Sequence, residues 1–349
     1  MDAKSLLFPL FILVGLHGQP RIDGFTSDFA GDHILVSSLS SNTPMGSPPK
    51  LYEVDGESAR LVITAPTCAG VIGIPSAYYQ PKAVGGLVYT QRHQCSAGRY
   101  TPVFYRIRVQ GNPWVPDGTL GWLTWSGPGD YAVLDGESLR WIRMSDGLQV
   151  DLRESTPPDR SRYVVNVSHS GQVLLMDLLL PASLTSPIQF VLWNKEGYRD
   201  LELGGGPRAC ELDPQDRYVA CVTSTQHSFL FDLATREQRL LHVFDSSRDN
   251  ENKPSRSLRL ADNGDRVILW ETRVTTDGER QAGHEDYVYD IRVFSTSDGA
   301  ELFSRRAEGQ GPSSFSGNGR YFFVTQRKQS IQRYDMEVGD SRVWLEALP

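Results

Sequence analysis

The sequence has no apolar stretch of the ~20 residues needed to cross a bilayer, no basic excess, and only four cysteines among 349 residues. The longest apolar run, Leu6–Leu16, is too short to span and is interrupted by Pro9. Lysine and arginine number 35 against 42 acidic residues, a net charge of −7, which argues against a general binder of nucleic acid or acidic membranes. There is no Gly-x-Ser-x-Gly elbow. Gly204-Gly205-Gly206 lacks the Gly-Lys-Ser/Thr ending of a phosphate loop and reads as a turn between two units. Neither a twelve-residue calcium loop nor a Cys-x-x-Cys pair occurs, and the seven histidines are scattered. No metal or cofactor is expected, and whether the chain is an enzyme stays open, leaning against.

What the sequence does contain is a globular balance, 39% hydrophobic and 22% charged residues. Its 32 Gly, 21 Pro, 14 Tyr, 14 Phe and 7 Trp favour strands and turns over long helices. Lys4 followed by the run Leu6–Leu16 is the pattern of an export signal. Residues 1–18 are read as a signal peptide and 19–349 as one mature domain, secreted or periplasmic; an uncleaved short anchor is the alternative.

An even cysteine count suits an oxidising compartment. Around Asp213–Tyr218 the chain reads as strand, tight turn, strand. That register sets Leu212 opposite Val219 and Cys210 opposite Cys221, near disulfide reach. Cys68 and Cys95 flank a longer hairpin in the same sense. Four free buried thiols are the alternative.

A local pattern recurs along the chain: a small or polar residue, two loose positions, Gly or Asp, then a β-rich run. The clearest copies are Ser316-Gly317-Asn318-Gly319-Arg320-Tyr321-Phe322-Phe323-Val324 and Asp213-Pro214-Gln215-Asp216-Arg217-Tyr218-Val219-Ala220-Cys221. Looser copies begin at 168 and 261, then at 126, with degenerate ones at 28 and 83. The mature chain divides into seven units of roughly 47 residues. A second hairpin follows each anchor, as in Tyr289–Leu302, where Ser297-Asp298-Gly299 is turn chemistry. Each unit is therefore four antiparallel strands. The expected fold is all-β, a seven-bladed β-propeller of four-stranded antiparallel blades; the longer intervals at both ends leave six or eight blades open. The last unit holds all four of its own strands, so apolar packing without strand exchange has to seal the ring.

Phe231-Asp232 and Tyr334-Asp335 stand where an intracellular WD repeat carries its Trp-Asp pair. The units thus resemble the WD-repeat-like blades of exported bacterial propellers, including the periplasmic propeller of the Tol system. The resemblance implies the architecture alone, because the other five units lack that aromatic-Asp pair and the Gly-His partner as well.

Arg162, Arg208 and Arg256 each precede an anchor by five or six residues, at the start of the predicted innermost strand. Three guanidinium groups converging at the channel mouth would suit a carboxylate or phosphate; a solvated face of local ion pairs is the competing account. Asn166-Val167-Ser168 is a glycosylation sequon inside a predicted inner strand. Long second-to-third strand links are expected at 38–49, 93–100, 179–187 and 274–286, on the face that blade-to-blade links share. Long loops on a rigid frame are where binding usually resides. The sequence therefore reads as an exported propeller that binds another protein through its loop-rich face. The alternative is a hydrolase, a lyase or a binding protein for a small anionic or sugar-like ligand at the channel mouth.

Overall fold

The computed structural model describes residues 20–27, 30–40, 50–56, 58–64, 76–79, 87–96, 99–108, 121–125, 131–136, 139–143, 148–153, 156–180, 188–245, 254–311, 313–326, 330–346 and 348. They form seven antiparallel sheets, each a meander in chain order. The first blade is β1 (Pro20–Ser27), β2 (Ile34–Ser40), β3 (Lys50–Val54) and β4 (Ala59–Thr64). The second has three described strands, β5 (Ser76–Tyr79), β6 (Leu87–Ser96) and β7 (Arg99–Arg108). The third is β8 (Gly121–Trp125), β9 (Tyr131–Gly136), β10 (Leu139–Arg143) and β11 (Gln149–Asp151). The fourth comprises β12 (Arg160–Val167), β13 (Val173–Leu179), β14 (Ile188–Asn194) and β15 (Gly197–Leu201). In the fifth are β16 (Pro207–Leu212), β17 (Tyr218–Thr223), β18 (His227–Asp232) and β19 (Gln238–Val243). The sixth has β20 (Ser255–Leu260), β21 (Arg266–Val274), α1 (Asp277–Gln281), β22 (Tyr287–Ser295) and β23 (Glu301–Gly309). The seventh is β24 (Ser313–Phe315), β25 (Tyr321–Gln326), β26 (Ser330–Asp335) and β27 (Ser341–Leu345).

First strands meet first strands around the ring: β8 contacts β12, β12 contacts β16, β16 contacts β20, and β24 contacts β1. The fold is the expected all-β propeller, with seven blades. All seven repeat anchors fall between the first and second strands of their blades.

The buried apolar clusters lie between blades. Trp141 of the third blade packs with Val173, Leu175 and Trp193 of the fourth. Leu174 and Phe190 of the fourth meet Leu212, Val219 and Phe229 of the fifth. Ile268 and Ile291 of the sixth meet Phe315 and Phe322 of the seventh. Ring closure follows the same rule. Ile22, Ile34 and Val54 pack against Phe323, Ile331 and Trp344, and every strand of the last blade belongs to its own unit. Gly31 has φ +78°, and a Cβ there would lie 2.5 Å from the Tyr321 ring. Only glycine lets the first blade seat on the last at this point.

The anchor turns also tie neighbouring blades through the backbone. The His169 amide donates to the Pro214 carbonyl (2.8 Å), and the Asp262 amide to the Gly317 carbonyl (2.7 Å). Pro214 occupies the equivalent position in the fifth blade and has no N–H to give. There the Gln215 side chain donates to the Asn263 carbonyl instead (3.0 Å).

The cysteine hairpin has the expected register, Leu212 opposite Val219 and Cys210 opposite Cys221, and those two cysteines form a disulfide. Cys68, and the side chain of Cys95, lie outside the described residues. Replacing Cys210 and Cys221 together with alanine is expected to cost about 3 kcal/mol, from the loop-closure entropy of a bridge spanning some eleven residues. Urea denaturation of the double variant against the oxidised protein measures it.

One loop expectation is overturned. The predicted long link at 93–100 is instead the end of a hairpin: β6 and β7 pair from Leu87–Arg108 through to Ser96–Arg99, leaving two residues between them. The polar run His93-Gln94-Cys95-Ser96 belongs to a strand, and its ladder partners outweigh its polar composition.

Candidate binding site on the sixth blade

The site arises from a mismatch in strand length. In the fifth blade β16, β17, β18 and β19 each have six residues, whereas β21, β22 and β23 of the sixth each have nine. Three extra residues extend a strand by about 10 Å, so the sixth blade overhangs the fifth. Below the overhang the interface is apolar, with Val222, Leu230 and Phe244 against Leu260, Leu269 and Phe294. At the overhang a cleft of about 560 Å³ opens, walled by His242, Phe244 and Asp245 on one side and by Glu271, Asp290 and Arg306 on the other.

Strand register explains the polar wall. Arg256 stands opposite Glu271, Glu271 opposite Asp290, and Asp290 opposite Arg306, a row crossing all four strands on one face. Two carboxylates directly opposed on a sheet repel; here each is neutralised from its far side. Arg256 Nε donates to Glu271 (3.0 Å), and Arg306 donates to Asp290 through Nε (2.9 Å) and an Nη (3.4 Å). Arg256 also lies 5.2 Å from the Phe244 ring centroid. His242 meets Phe244 edge-on at 4.9 Å; burial, and then the charge of Arg292, hold its pKa below the usual imidazole value.

Above the cleft, the link 275–286 is the expected long loop, and it is built as a rigid element. Thr276 and Glu279 form a capping box at the start of α1. The Thr276 amide donates to Glu279 (2.8 Å), whose carboxylate also takes two bonds from Arg273 (2.9 and 2.7 Å). The Arg273 guanidinium and the Thr276 amide hold the Glu279 carboxyl down to about 2. His284 contacts Glu308 (2.9 Å), and the amide of Thr275, itself buried, donates to the Asp286 carbonyl (2.9 Å). No residue of α1 is buried. The helix is ordered by its caps and ion pairs, and apart from half-buried Glu279 its residues are exposed.

The three arginines singled out in the sequence lie on first strands as expected, in different settings. Arg162 is buried and makes a bidentate pair with Asp177 (2.8 Å each), its guanidinium 4.5 Å from the Tyr198 ring centroid. Arg256 repeats that cross-strand geometry with Glu271 at the edge of the cleft. In the fifth blade a bulge between Pro207 and Ala209 takes Arg208 out of the ladder, and Arg208 is exposed. Of the other links expected to be long, 41–49 and 181–187 lie outside the described residues. Among the described residues no group of three or more His, Cys, Asp or Glu is placed to hold a metal ion. Gly204–Gly206 joins two blades, with Gly205 and Gly206 at φ +79° and +63°. The sequon Asn166 sits on β12, its amide committed to the next blade. The overhang escaped the sequence reading because strand lengths of neighbouring blades must be compared in register. The capping box Thr276-x-x-Glu279 is the one sequence signal that marks α1.

No family model matches the chain, and no curated protein matches it in sequence. Solved structures do. Oligogalacturonate lyase in complex with manganese is similar at a TM-score of 0.51 and 8% identity, over 78% of this chain and 84% of its own. A protein described as a 6-phosphogluconolactonase from Bacteroides fragilis gives 0.47 and 14%, covering 89% and 93%. Kuenenia stuttgartiensis hydrazine synthase gives 0.41 and 11%, covering 92% and 78%. Identities this low speak to fold alone, and the lyase agrees with the blade architecture.

Proposed function

We propose that this protein is an exported propeller that binds a protein partner through the face carrying the second-to-third strand links, with the sixth blade as the contact element. The observation that carries this is α1: an ordered helix with no buried residue, whose order serves no packing purpose within the chain. A pre-ordered charged surface loses little conformational entropy on docking. The export part of the reading rests on the N-terminal apolar run and the Cys210–Cys221 disulfide. A second reading, a small anionic or sugar-like ligand in the cleft, is favoured by the cleft's volume, which falls in the ligand-site range of ~300–1,000 Å³.

The test replaces 275–286 with Asn-Gly, joining the paired ends Val274 and Tyr287 by a two-residue hairpin. The shortened protein is expected to stay folded and to melt somewhat below wild type, since α1 buries nothing and buried Thr275 is the one core contact removed. Crosslinking and mass spectrometry of the secreted or envelope fraction should show a reproducible partner with wild type and at least a tenfold loss with the variant. A partner captured equally well by both would overturn the assignment to this loop.

A further inference from the structure

At one position of the repeat, two residues before the anchor turn, a side chain reaches the backbone of the next blade. Asn166 of the fourth blade accepts from the Leu212 amide (3.0 Å) and donates to the Leu212 carbonyl (2.9 Å). Glu211 of the fifth accepts from the Leu260 amide (2.6 Å). Arg259 of the sixth donates to the Phe315 carbonyl (3.1 Å). The physical reason is common to all three. A first strand is the edge of its sheet, with no strand paired on its inner side, and buried backbone groups must find partners. Both the N–H and the C=O of one strand residue point to the same side, so a complete bridge requires one acceptor and one donor. The Asn166 amide supplies both. A carboxylate supplies only acceptors, while a protonated carboxyl group supplies one of each.

We infer that Glu211 is a proton-dependent latch on the seam between the fifth and sixth blades, complete when its carboxyl group carries a proton and able then to bridge Leu260 as Asn166 bridges Leu212. The proton comes from solvent and no covalent bond changes. The groups facing Glu211 are Arg259 on β20 and Asp262 in the following turn. Arg259 is itself bonded to the Phe315 carbonyl and to Asp262 (3.2 Å), which limits its hold on Glu211. Desolvation in the half-buried seam raises the Glu211 pKa to about 7 from an ordinary 4.5, against the opposing pull of Arg259 and the Leu260 amide. The sign follows from linkage. The closed seam holds the proton more tightly than the open one, so closure is strongest below pH 4.5 and weakens as pH rises to about 7, levelling off above it. The cleft lies on this same seam, at the opposite end of β20.

Hydrogen exchange of the full chain, corrected for intrinsic rates, tests the latch between pH 4.5 and 8.5. Opening of β20 is expected to rise by up to roughly tenfold per pH unit toward pH 7 and then level off, while β16, bridged by Asn166, stays flat. Glu211→Gln should make β20 flat as well, because glutamine carries the donor and acceptor of the asparagine bridge. Asn166→Asp should transfer the pH dependence to β16. A pH-independent β20 in the wild-type protein overturns the inference, and so does a Glu211→Gln protein with the wild-type profile. If Glu211→Gln does not fold, the wild-type series and Asn166→Asp decide the matter.

Discussion

Replacing Asp177 with alanine is expected to destabilise the propeller by about 3–5 kcal/mol, the cost of leaving a buried guanidinium without its counter-charge. The side chains of Arg162 and Asp177 are 4% and 1% exposed, so water cannot take over the lost partner. Arg162→Ala should cost a similar amount, since it strands Asp177. The double change Arg162→Met with Asp177→Leu should recover most of the loss, because two apolar side chains of similar volume carry no desolvation penalty. Urea denaturation of the three variants measures the two losses and the recovery. The result also bears on the arginine trio as an anion grip. A charge already held by two bonds to Asp177 would have to leave them to take a ligand, so the double variant should bind any channel ligand as wild type does. A double variant that regains stability yet loses a ligand would instead place Arg162 in a binding site.

The repeat was legible because a propeller writes one local event, the first-to-second strand turn, seven times. Residues such as Gly171, Asp216, Gly264 and Gly319, all at positive φ, mark it where the surrounding sequence has drifted. The Cys210–Cys221 register was legible for a related reason: a short turn leaves one way to pair its flanking strands. The long link expected at 93–100 fails because the pairing of β6 with β7 continues to Ser96–Arg99, a long-range ladder that the polar run His93-Gln94-Cys95-Ser96 does not announce. The cleft and the latch lay beyond the sequence altogether. Arg256, Glu271, Asp290 and Arg306 span fifty residues and meet only through register on one sheet face. Glu211 looks like any strand glutamate until the next blade's inner edge is set beside it. The sequence reading did place Arg256 at a channel-side position, but the carboxylate facing it belongs to the next strand and cannot be chosen without the ladder.

Trp344→Ala is expected to cost about 3–5 kcal/mol, the range for truncating a buried aromatic, and to change the way the molecule unfolds. Trp344 is 6% exposed and belongs to the cluster joining the last blade to the first. Its ring meets Phe323 edge-on at 6.0 Å, and Arg333 lies between it and Tyr321, 4.0 Å and 4.2 Å from the two centroids. Arg333 also donates to the Gly31 carbonyl of the first blade (3.2 Å). A ring sealed by an exchanged strand would keep its ladder when one aromatic is lost. Among the described residues there is no such strand, since β24 through β27 come from one unit and β1 through β4 from another. Removing Trp344 withdraws both the packing under Gly56 and the lower face of the Arg333 stack. The first blade should therefore open before the rest, with hydrogen exchange in β1–β4 and in β27 accelerated well beyond that of β16–β19. Trp141→Ala, at the seam of the third and fourth blades, serves as the control, for Trp141 is also buried and donates to the Gly171 carbonyl (2.9 Å). It should lower stability by a similar amount while leaving the first blade protected to the same degree as the whole. If Trp344→Ala instead unfolds every blade at one rate, closure depends on more than this packing, and the first and last blades are coupled through the ring's inner turns.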